Sequence, residues 1–431
     1  MRIRQSLCHA ALAFYAAVPA GLLSSGAAHA AEPAAYPPAT LESFLARAER
    51  HPEVSAAKAD IDAAAGGVTA ADRAPLPQIS ANLSSIDLQN GVGPGSWPGS
   101  KRLDKGVGID WTWERGDKRL HRTQSAEHAL EAARFDQIET LVQRRLAIAR
   151  AFWDLVAAQE REILSAESLR NAEELNHLAR RRLEKGDVSQ QEAARVFIEA
   201  ERARIDHSTV SGARELAAVA LAQASGLNTT RESGSLPRAA SGWPSGVSQS
   251  VPGRILDLVD ERPDVRAARA RVHSAQAALA LARSLQVSDV TWGGGFNNYP
   301  PDQRASVQLR AQFPWQVNYR FEGEIRQASA QLTRSEELLR LTLQAAENEL
   351  SAIRSRRVFS LERLAIFDSR VLTQAGEVLG RAEAAYSRGA ITLTELLEAR
   401  RTYRAVRVDE IDRSEEHTSE LQSRQYLVCR L

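Results

Sequence analysis

One segment of this chain occurs twice, and an internal repeat constrains a fold before any other feature does. The first copy reads Arg182-Leu183-Glu184-Lys185-Gly186-Asp187-Val188-Ser189, followed by Gln190-Gln191-Glu192-Ala193-Ala194. The second reads Ala385-Tyr386-Ser387-Arg388-Gly389-Ala390-Ile391-Thr392, followed by Leu393-Thr394-Glu395-Leu396-Leu397. Both lie inside long stretches rich in Ala, Glu, Arg and Leu. Each reads as a helix, a glycine turn with a hydroxyl residue three positions later, and a second helix.

The repeat extends upstream. His51-Pro52-Glu53-Val54-Ser55-Ala56-Ala57 matches Arg262-Pro263-Asp264-Val265-Arg266-Ala267-Ala268 at an offset of 211 residues, whereas the glycine turns are 203 apart. The first copy therefore carries eight extra residues between these landmarks. They are expected in the loop Asp87 to Lys105, which holds Gly91-Val92-Gly93-Pro94-Gly95 and Pro98-Gly99, because loops tolerate insertions most cheaply.

Residues 1–30 have the layout of a secretory signal. Arg2 and Arg4 give a positive start, Leu7 to Leu23 is apolar, and Ala28-His29-Ala30 is a small-x-small cleavage site. Cys8 lies too early for a lipid-attachment motif. The halves of the mature chain are residues 31–227 and 253–412. Between them runs a linker, 228–252, rich in Gly, Ser and Pro, including Ser233-Gly234-Ser235 and Ser241-Gly242-Trp243-Pro244. Beyond about Asp412 the register with the first copy dissolves. Arg413-Ser414-Glu415-Glu416-His417-Thr418-Ser419-Glu420-Leu421-Gln422-Ser423 resembles a translated sequencing-adapter fragment, so residues 413–431 are expected to be non-native and to replace a true end. With the signal and this tail set aside, neither of the two cysteines remains, which fits an exported chain needing no disulfide.

Several function classes are disfavoured. Net charge is +1 and no dense basic stretch persists, which argues against nucleic acid as a partner. There is no Gly-rich phosphate loop, no serine elbow and no metal-ligand spacing, so neither catalytic residues nor an enzyme, a cofactor or a structural metal is expected. His121, His128, His177 and His207 are scattered and form no ligand set with neighbouring carboxylates or cysteines. No mature segment approaches eighteen consecutive apolar residues, so membrane entry would require a closed β-barrel.

From about Lys118 to Leu183 the chain has no proline and no glycine, enough for one very long helix. Apolar residues at Ile138, Leu141, Ile148, Phe152, Leu155, Ile163, Ala166 and Leu169 mark a seam for helix packing. A plain coiled coil would explain this much. It does not explain Val107-Gly108-Ile109-Asp110-Trp111-Thr112-Trp113 and Val307-Gln308-Leu309-Arg310-Ala311-Gln312-Phe313, which alternate apolar with small or polar residues. Ile79 to Ser84 and Val290 to Gly293 are weaker versions. Such alternation gives one wet and one apolar face, either a sheet over a soluble core or a barrel with lipid outside. Helices this thin cannot bury a sheet, which favours the barrel, with Val107, Ile109, Trp111, Trp113, Val307, Leu309 and Phe313 toward lipid. Four strands cannot close alone, and open edges in lipid are prohibitively costly, so the subunits must associate, with cyclic symmetry the usual outcome.

In the order of these elements the chain resembles the TolC-like outer-membrane efflux protein family. The residues that carry the resemblance are Pro52-Glu53-Val54 and Pro263-Asp264-Val265 before Ala/Arg-rich helices, Leu76-Pro77-Gln78-Ile79 into a strand, Glu322-Gly323-Glu324-Ile325-Arg326-Gln327-Ala328 after the second hairpin, and Tyr386-Ser387-Arg388-Gly389 before Leu396-Leu397-Glu398-Ala399-Arg400. The stretch Trp113-Glu114-Arg115-Gly116-Asp117-Lys118-Arg119 is similar to one in the heavy-metal, CzcC-like branch. It is equally explained by Asp117 capping a helix start.

The resemblance implies a mostly α fold with a small β part: long antiparallel helical hairpins and two β-hairpins per chain. It implies a homotrimer that builds a periplasmic α-barrel and a 12-stranded barrel in outer-membrane lipid. It implies an export duct for small molecules or metal cations, working with a periplasmic adaptor (a membrane fusion protein) and an inner-membrane pump of RND or ABC type. The turns at Gly186, Asp187 and Ser189 and at Gly389, Ala390 and Thr392 become the adaptor-facing tips. Glu395 and Glu398 take the place of the acidic residues that narrow the family's entrance; on the residues alone they are equally solvated carboxylates three apart on a helix. A periplasmic adaptor or coiled-coil spacer is the rival, but an adaptor has a single helical hairpin between β-rich domains, whereas both elements are duplicated here.

Overall fold

The computed structural model of the protein describes residues 39–84, 103–227, 236–240, 259–299, 303–366 and 370–429. The signal segment 1–30 lies outside these residues, as do most of the linker 228–252, most of the loop Asp87 to Lys105, and the side chains beyond Ser414.

The first repeat begins with α1 (Leu41–Leu45), a 3-10 turn (Ala48–Arg50) and α2 (Pro52–Ala71). A hairpin follows, β1 (Gln78–Ser84) and β2 (Asp104–Trp113), then α3 (Lys118–Glu184) and α4 (Gln190–Ala224). The second repeat has the same order: α5 (Pro263–Ser284), β3 (Val290–Tyr299), β4 (Gln303–Gln312), α6 (Glu322–Ile366), α7 (Leu372–Ser387) and α8 (Leu393–Cys429). The described residues are thus mostly helical with one small antiparallel sheet. The extra length of the first copy sits in its hairpin: a long segment joins Ser84 to Asp104, whereas only three residues separate Tyr299 from Gln303. A longer connection from β4 to α6 offsets part of it.

Uninterrupted by proline or glycine, α3 runs for 67 residues, about 100 Å at 1.5 Å per residue. It packs along α4, α5, α2 and α8 and is the spine to which both repeats attach. Its seam is buried only where neighbours cover it. Ile148, Phe152 and Leu155 are almost fully enclosed, with Phe44, Trp153, Val156, Ala218 and Leu221. Phe44 and Phe152 have ring centroids 5.9 Å apart, and Phe152 meets Trp153 edge-on at 5.1 Å. Within one chain the seam expected from periodicity is covered only in part: Ile138 and Ile163 are 42% and 59% exposed. One chain does not clothe the whole length of α3.

The two helix starts at His51-Pro52 and Arg262-Pro263 both place proline at the first helical turn, where its missing N–H costs nothing. Their partners differ. His51 Nδ1 accepts from the Glu53 N–H at 3.3 Å, while Arg262 pairs with Asp264 at 2.7 Å and Glu349 at 2.9 Å. Burial alone disfavours the Arg262 charge, but hydrogen bonds and attraction from Asp264 and Glu349 outweigh it and hold the guanidinium ionised.

The sheet has the order β1-β2-β3-β4, every pair antiparallel, so consecutive strands are neighbours and β1 and β4 form its edges. The central pair, β2 with β3, joins the two repeats.

Candidate functional site

Strand register sorts the sheet into two chemically opposite faces. Ile79 pairs with Ile109, Ile109 with Gly294 and Gly294 with Leu309. One step away, Ala81, Val107, Phe296 and Val307 form a second row, and Trp111, Trp292 and Ala311 a third. Side chains directly opposite each other share a face, so these rows make one apolar surface. It is uncovered: Val107 is 60% exposed, Ile109 and Trp111 52%, Trp113 55%, Val307 78% and Leu309 86%. Phe313 follows the last residue of β4 and is also exposed.

The opposite face is polar. Its rows are Gln78-Asp110-Gly293-Arg310, Ser80-Gly108-Gly295-Gln308 and Asn82-Gly106-Asn297-Ser306. Asp110 accepts from Arg310 Nη2 at 2.5 Å, Asn297 Nδ2 donates to Gln308 at 3.2 Å, and Thr112 and Thr291 share a hydrogen bond of 2.9 Å. Ten-residue strands with this alternation match the height of a hydrocarbon core.

A polar knuckle joins sheet to helices, and it accounts for the Trp113 to Arg119 stretch. Asp117 does not cap α3: its backbone is left-handed (φ 56°), and its side chain makes no capping bond. Instead Lys118 Nζ donates to the Val287 carbonyl and to Asp289 Oδ1, each at 2.7 Å, and the Arg115 N–H donates to the same carboxylate oxygen at 2.9 Å. Arg122 forks onto Glu114 and also donates to the carbonyls of Ala71 and Arg73. The stretch therefore fixes where α2, α3 and the α5–β3 connection meet the sheet.

At the far end of α3 the two turns have the same construction. Gly186 and Gly389 have φ of 78° and 74°, a left-handed backbone that glycine adopts without strain, and nothing crowds either Cα. The Gly186 N–H donates to the Leu183 carbonyl and the Asp187 N–H to Arg182; the Gly389 N–H donates to Tyr386 and the Ala390 N–H to Ala385. Both are Schellman stops, and a capping box follows each. Ser189 accepts from the Glu192 N–H while Glu192 accepts from the Ser189 N–H, both at 3.1 Å. Thr392 and Glu395 repeat this with distances of 3.4 and 2.7 Å.

Glu395 thus has a local partner. Hydrogen bonds from the Thr392 N–H and hydroxyl hold its carboxyl below the usual carboxylate range. Glu398 lies one turn further along α8, also exposed. Its neighbour Arg401 pairs with Glu199 of α4 at 2.5 Å, and Arg404 pairs with Asp206 at 3.1 Å. The Arg182 guanidinium sits 5.9 Å from the Tyr386 ring, linking one tip to the other.

Among the described residues no three His, Cys, Asp or Glu side chains converge as a metal site, and no helix is long and apolar enough to cross a membrane. The fold does bring together two histidines far apart in sequence, His128 and His273, with ring centroids 5.3 Å apart.

Comparison with known proteins agrees with this architecture. The sequence matches the family described as outer membrane efflux protein over residues 46–227 and 255–423. It is 23% identical over 379 residues to the cobalt-zinc-cadmium resistance protein CzcC of Cupriavidus metallidurans, a match covering 86% of this chain and 85% of that one. The backbone is similar to that of CusC (TM-score 0.76, 18% identity, 90% of this chain and 92% of that one). It is also similar to the open-state MtrE outer membrane channel of Neisseria gonorrhoeae (TM-score 0.74, 14% identity, 90% and 88%). VceC of Vibrio cholerae gives a TM-score of 0.72 at 17% identity, over 90% and 95%. With matched segments that take in most of both repeats, the chain belongs to the outer membrane efflux protein family.

Proposed function

We propose that this protein is the outer-membrane exit duct of an efflux system, acting as a homotrimer whose three four-stranded sheets close one 12-stranded barrel. The carrying observation is an open sheet whose apolar face is uncovered and whose edges, β1 and β4, are unpaired among the described residues. In lipid each unpaired backbone group costs several kcal/mol, so β4 of one subunit must pair with β1 of the next. A barrel of about eight strands is filled by its own side chains, so two copies would leave no duct, whereas three would. The polar rows then line the lumen, and Val107, Ile109, Trp111, Trp113, Val307, Leu309 and Phe313 face lipid. Trp111, Trp113 and Trp292, at the helix-proximal end, act as the aromatic girdle of the periplasmic boundary.

On this reading the signal segment directs export, the helices cross the periplasm, and the tips at Gly186, Asp187, Ser189, Gly389, Ala390 and Thr392 meet an adaptor joined to an inner-membrane pump. Glu395 and Glu398 from three subunits gather near the axis as a ring that attracts cations and repels anions. The carboxylate held ionised at Glu395 supports that role. Divalent metal cations are the favoured cargo, supported by the likeness to CzcC. Transport is passive, with no catalytic residues.

The test is the oligomeric mass of the protein extracted from the outer-membrane fraction. A detergent-stable trimer is expected. A monomer in the soluble periplasm would overturn the duct in favour of an adaptor or spacer.

A further inference from the structure

We propose that His128 of α3 and His273 of α5 form a two-histidine clamp for a divalent transition-metal ion, one imidazole from each repeat. This goes beyond the duct reading and does not depend on it.

The two rings meet because α3 and α5 run antiparallel in close contact. Just beside them Ser125 Oγ donates to the Ser274 carbonyl at 3.1 Å, and Ser274 Oγ donates to the Ser125 carbonyl at 2.8 Å. These reciprocal bonds from side chain to opposite backbone hold the helices at short range. On the other flank Arg271 pairs with Asp136, and the Arg266 guanidinium lies 4.4 Å from the Phe135 ring centre. Sites built on packed helices hold their geometry better than sites on loops.

Each ring is also oriented by its own helix. His128 Nδ1 lies 3.4 Å from Glu131 Oε2, and His273 Nδ1 lies 3.3 Å from Gln276 Oε1. Both partners are acceptor oxygens, so an imidazole that hydrogen-bonds to one of them does so through an Nδ1 proton. A neutral ring held in this way keeps its lone pair on Nε2, the form in which histidine binds metal. A carboxylate or amide behind a ligating histidine is the usual supporting arrangement in metal sites.

The spacing fits. With metal–nitrogen bonds of about 2.0–2.1 Å and a ring radius of about 1.2 Å, two imidazoles on one tetrahedral ion have centroids about 5.2 Å apart. The observed separation is 5.3 Å, with the ring planes 37° apart. Two protein donors leave the remaining positions to water, so the ion would exchange, in keeping with an exposed site. A bound ion would tie the first repeat to the second through the helices next to the sheet.

The test is zinc titration by calorimetry on the full-length protein in detergent, after chelator washing. One zinc ion per chain is expected at neutral pH. His128→Ala and His273→Ala should each weaken binding by about tenfold or more. His177→Ala should leave it unchanged, and circular dichroism should be the same for all three. Copper(II) bound to the parent should show two imidazole nitrogens in its electron paramagnetic resonance spectrum, and one in each His128 or His273 variant. Absence of zinc binding, or equal binding by the parent and either of these two variants, would overturn the clamp.

Discussion

Asp110 reaches across Gly293 to Arg310, joining the second and fourth strands over the back of the third at 2.5 Å. A Cβ on Gly293 would collide with Asp110 Oδ1 and press on the Arg310 guanidinium at 3.2 Å. Glycine here is a cavity for an ion pair rather than a break in the strand. The pair itself is half open to solvent (Arg310 side chain 48% exposed), so its own contribution is at most about 1 kcal/mol. A side chain at position 293 must push both ends of the pair aside, so it breaks the pair and adds crowding to that loss. Gly293→Val is therefore expected to lower the heat stability of the oligomer more than Asp110→Asn does, as read by the temperature of dissociation on a gel. Equal losses would mean that the charge pair, not the space, is what Gly293 serves.

Leu309 and Gln308 are adjacent in β4 and face opposite ways, one in the apolar row of Ile109 and Gly294, the other in the polar row of Ser80 and Gly295. Under the barrel reading the same substitution has opposite consequences at the two positions. Leu309→Arg puts a cation in lipid, at about 2–4 kcal/mol near the midplane, and should sharply reduce protein recovered from the outer membrane. Gln308→Arg adds a charge to the wet side and should assemble normally while shifting ion selectivity. Loss of assembly in both variants would place β4 in a two-sided core.

Sequence reading reached the parts of the molecule whose cause is local. A glycine followed three residues later by a hydroxyl announces a helix stop and a new start, and Gly186-Ser189 and Gly389-Thr392 are built alike to the hydrogen bond. Alternation in Val107 to Trp113 announced a two-faced strand, because the period of two is fixed by the backbone. What could not be read is what the fold brings together from far away. Asp110 and Arg310 are 200 residues apart, and Ser125 and Ser274 are 149. The run Gly293-Gly294-Gly295 looks like a poor strand by propensity, yet lies mid-strand, and at Gly293 the Asp110–Arg310 pair occupies the room a side chain would take. Asp117 looked like a helix cap, but the neighbouring Lys118 and Arg115 bind Asp289, a partner that only tertiary contact supplies.

The two acidic positions at the second tip are separable by experiment. Glu395 both carries charge and closes a capping box; Glu398 is free of that duty. Glu395→Gln keeps an acceptor for the Thr392 N–H and removes the charge, so it should lower cation selectivity in single-channel recordings without fraying the tip. Glu398→Gln should act similarly. Ser189→Ala, at the equivalent cap of the first tip, should cost about 1 kcal/mol of local stability, read as faster amide exchange in the first turn of α4, with selectivity unchanged. Unaltered selectivity in both glutamine variants would remove these residues from the entrance.

His51 gives the fold a definite dependence on pH. Its ring is the N-cap of α2, accepting from the Glu53 N–H, so the native state requires an unprotonated Nδ1. It is buried beside Gly226 at the end of α4, where a Cβ would stand 3.2 Å from the ring. Burial lowers its pKa below 6.5 and the nearby Arg144 charge adds to this, outweighing the attraction of Glu53 and the hydrogen bond with the Gln223 backbone. The unfolded chain therefore binds a proton more readily than the folded one. The contribution of His51 is present in full above about pH 6.5 and is lost as pH falls from there toward the lower folded value. His51→Asn keeps a side-chain acceptor at the cap and removes the titration. Between about pH 7.5 and pH 5.5 the melting temperature of the parent should fall further than that of the variant. Parallel falls would show that the pH sensitivity resides in other groups.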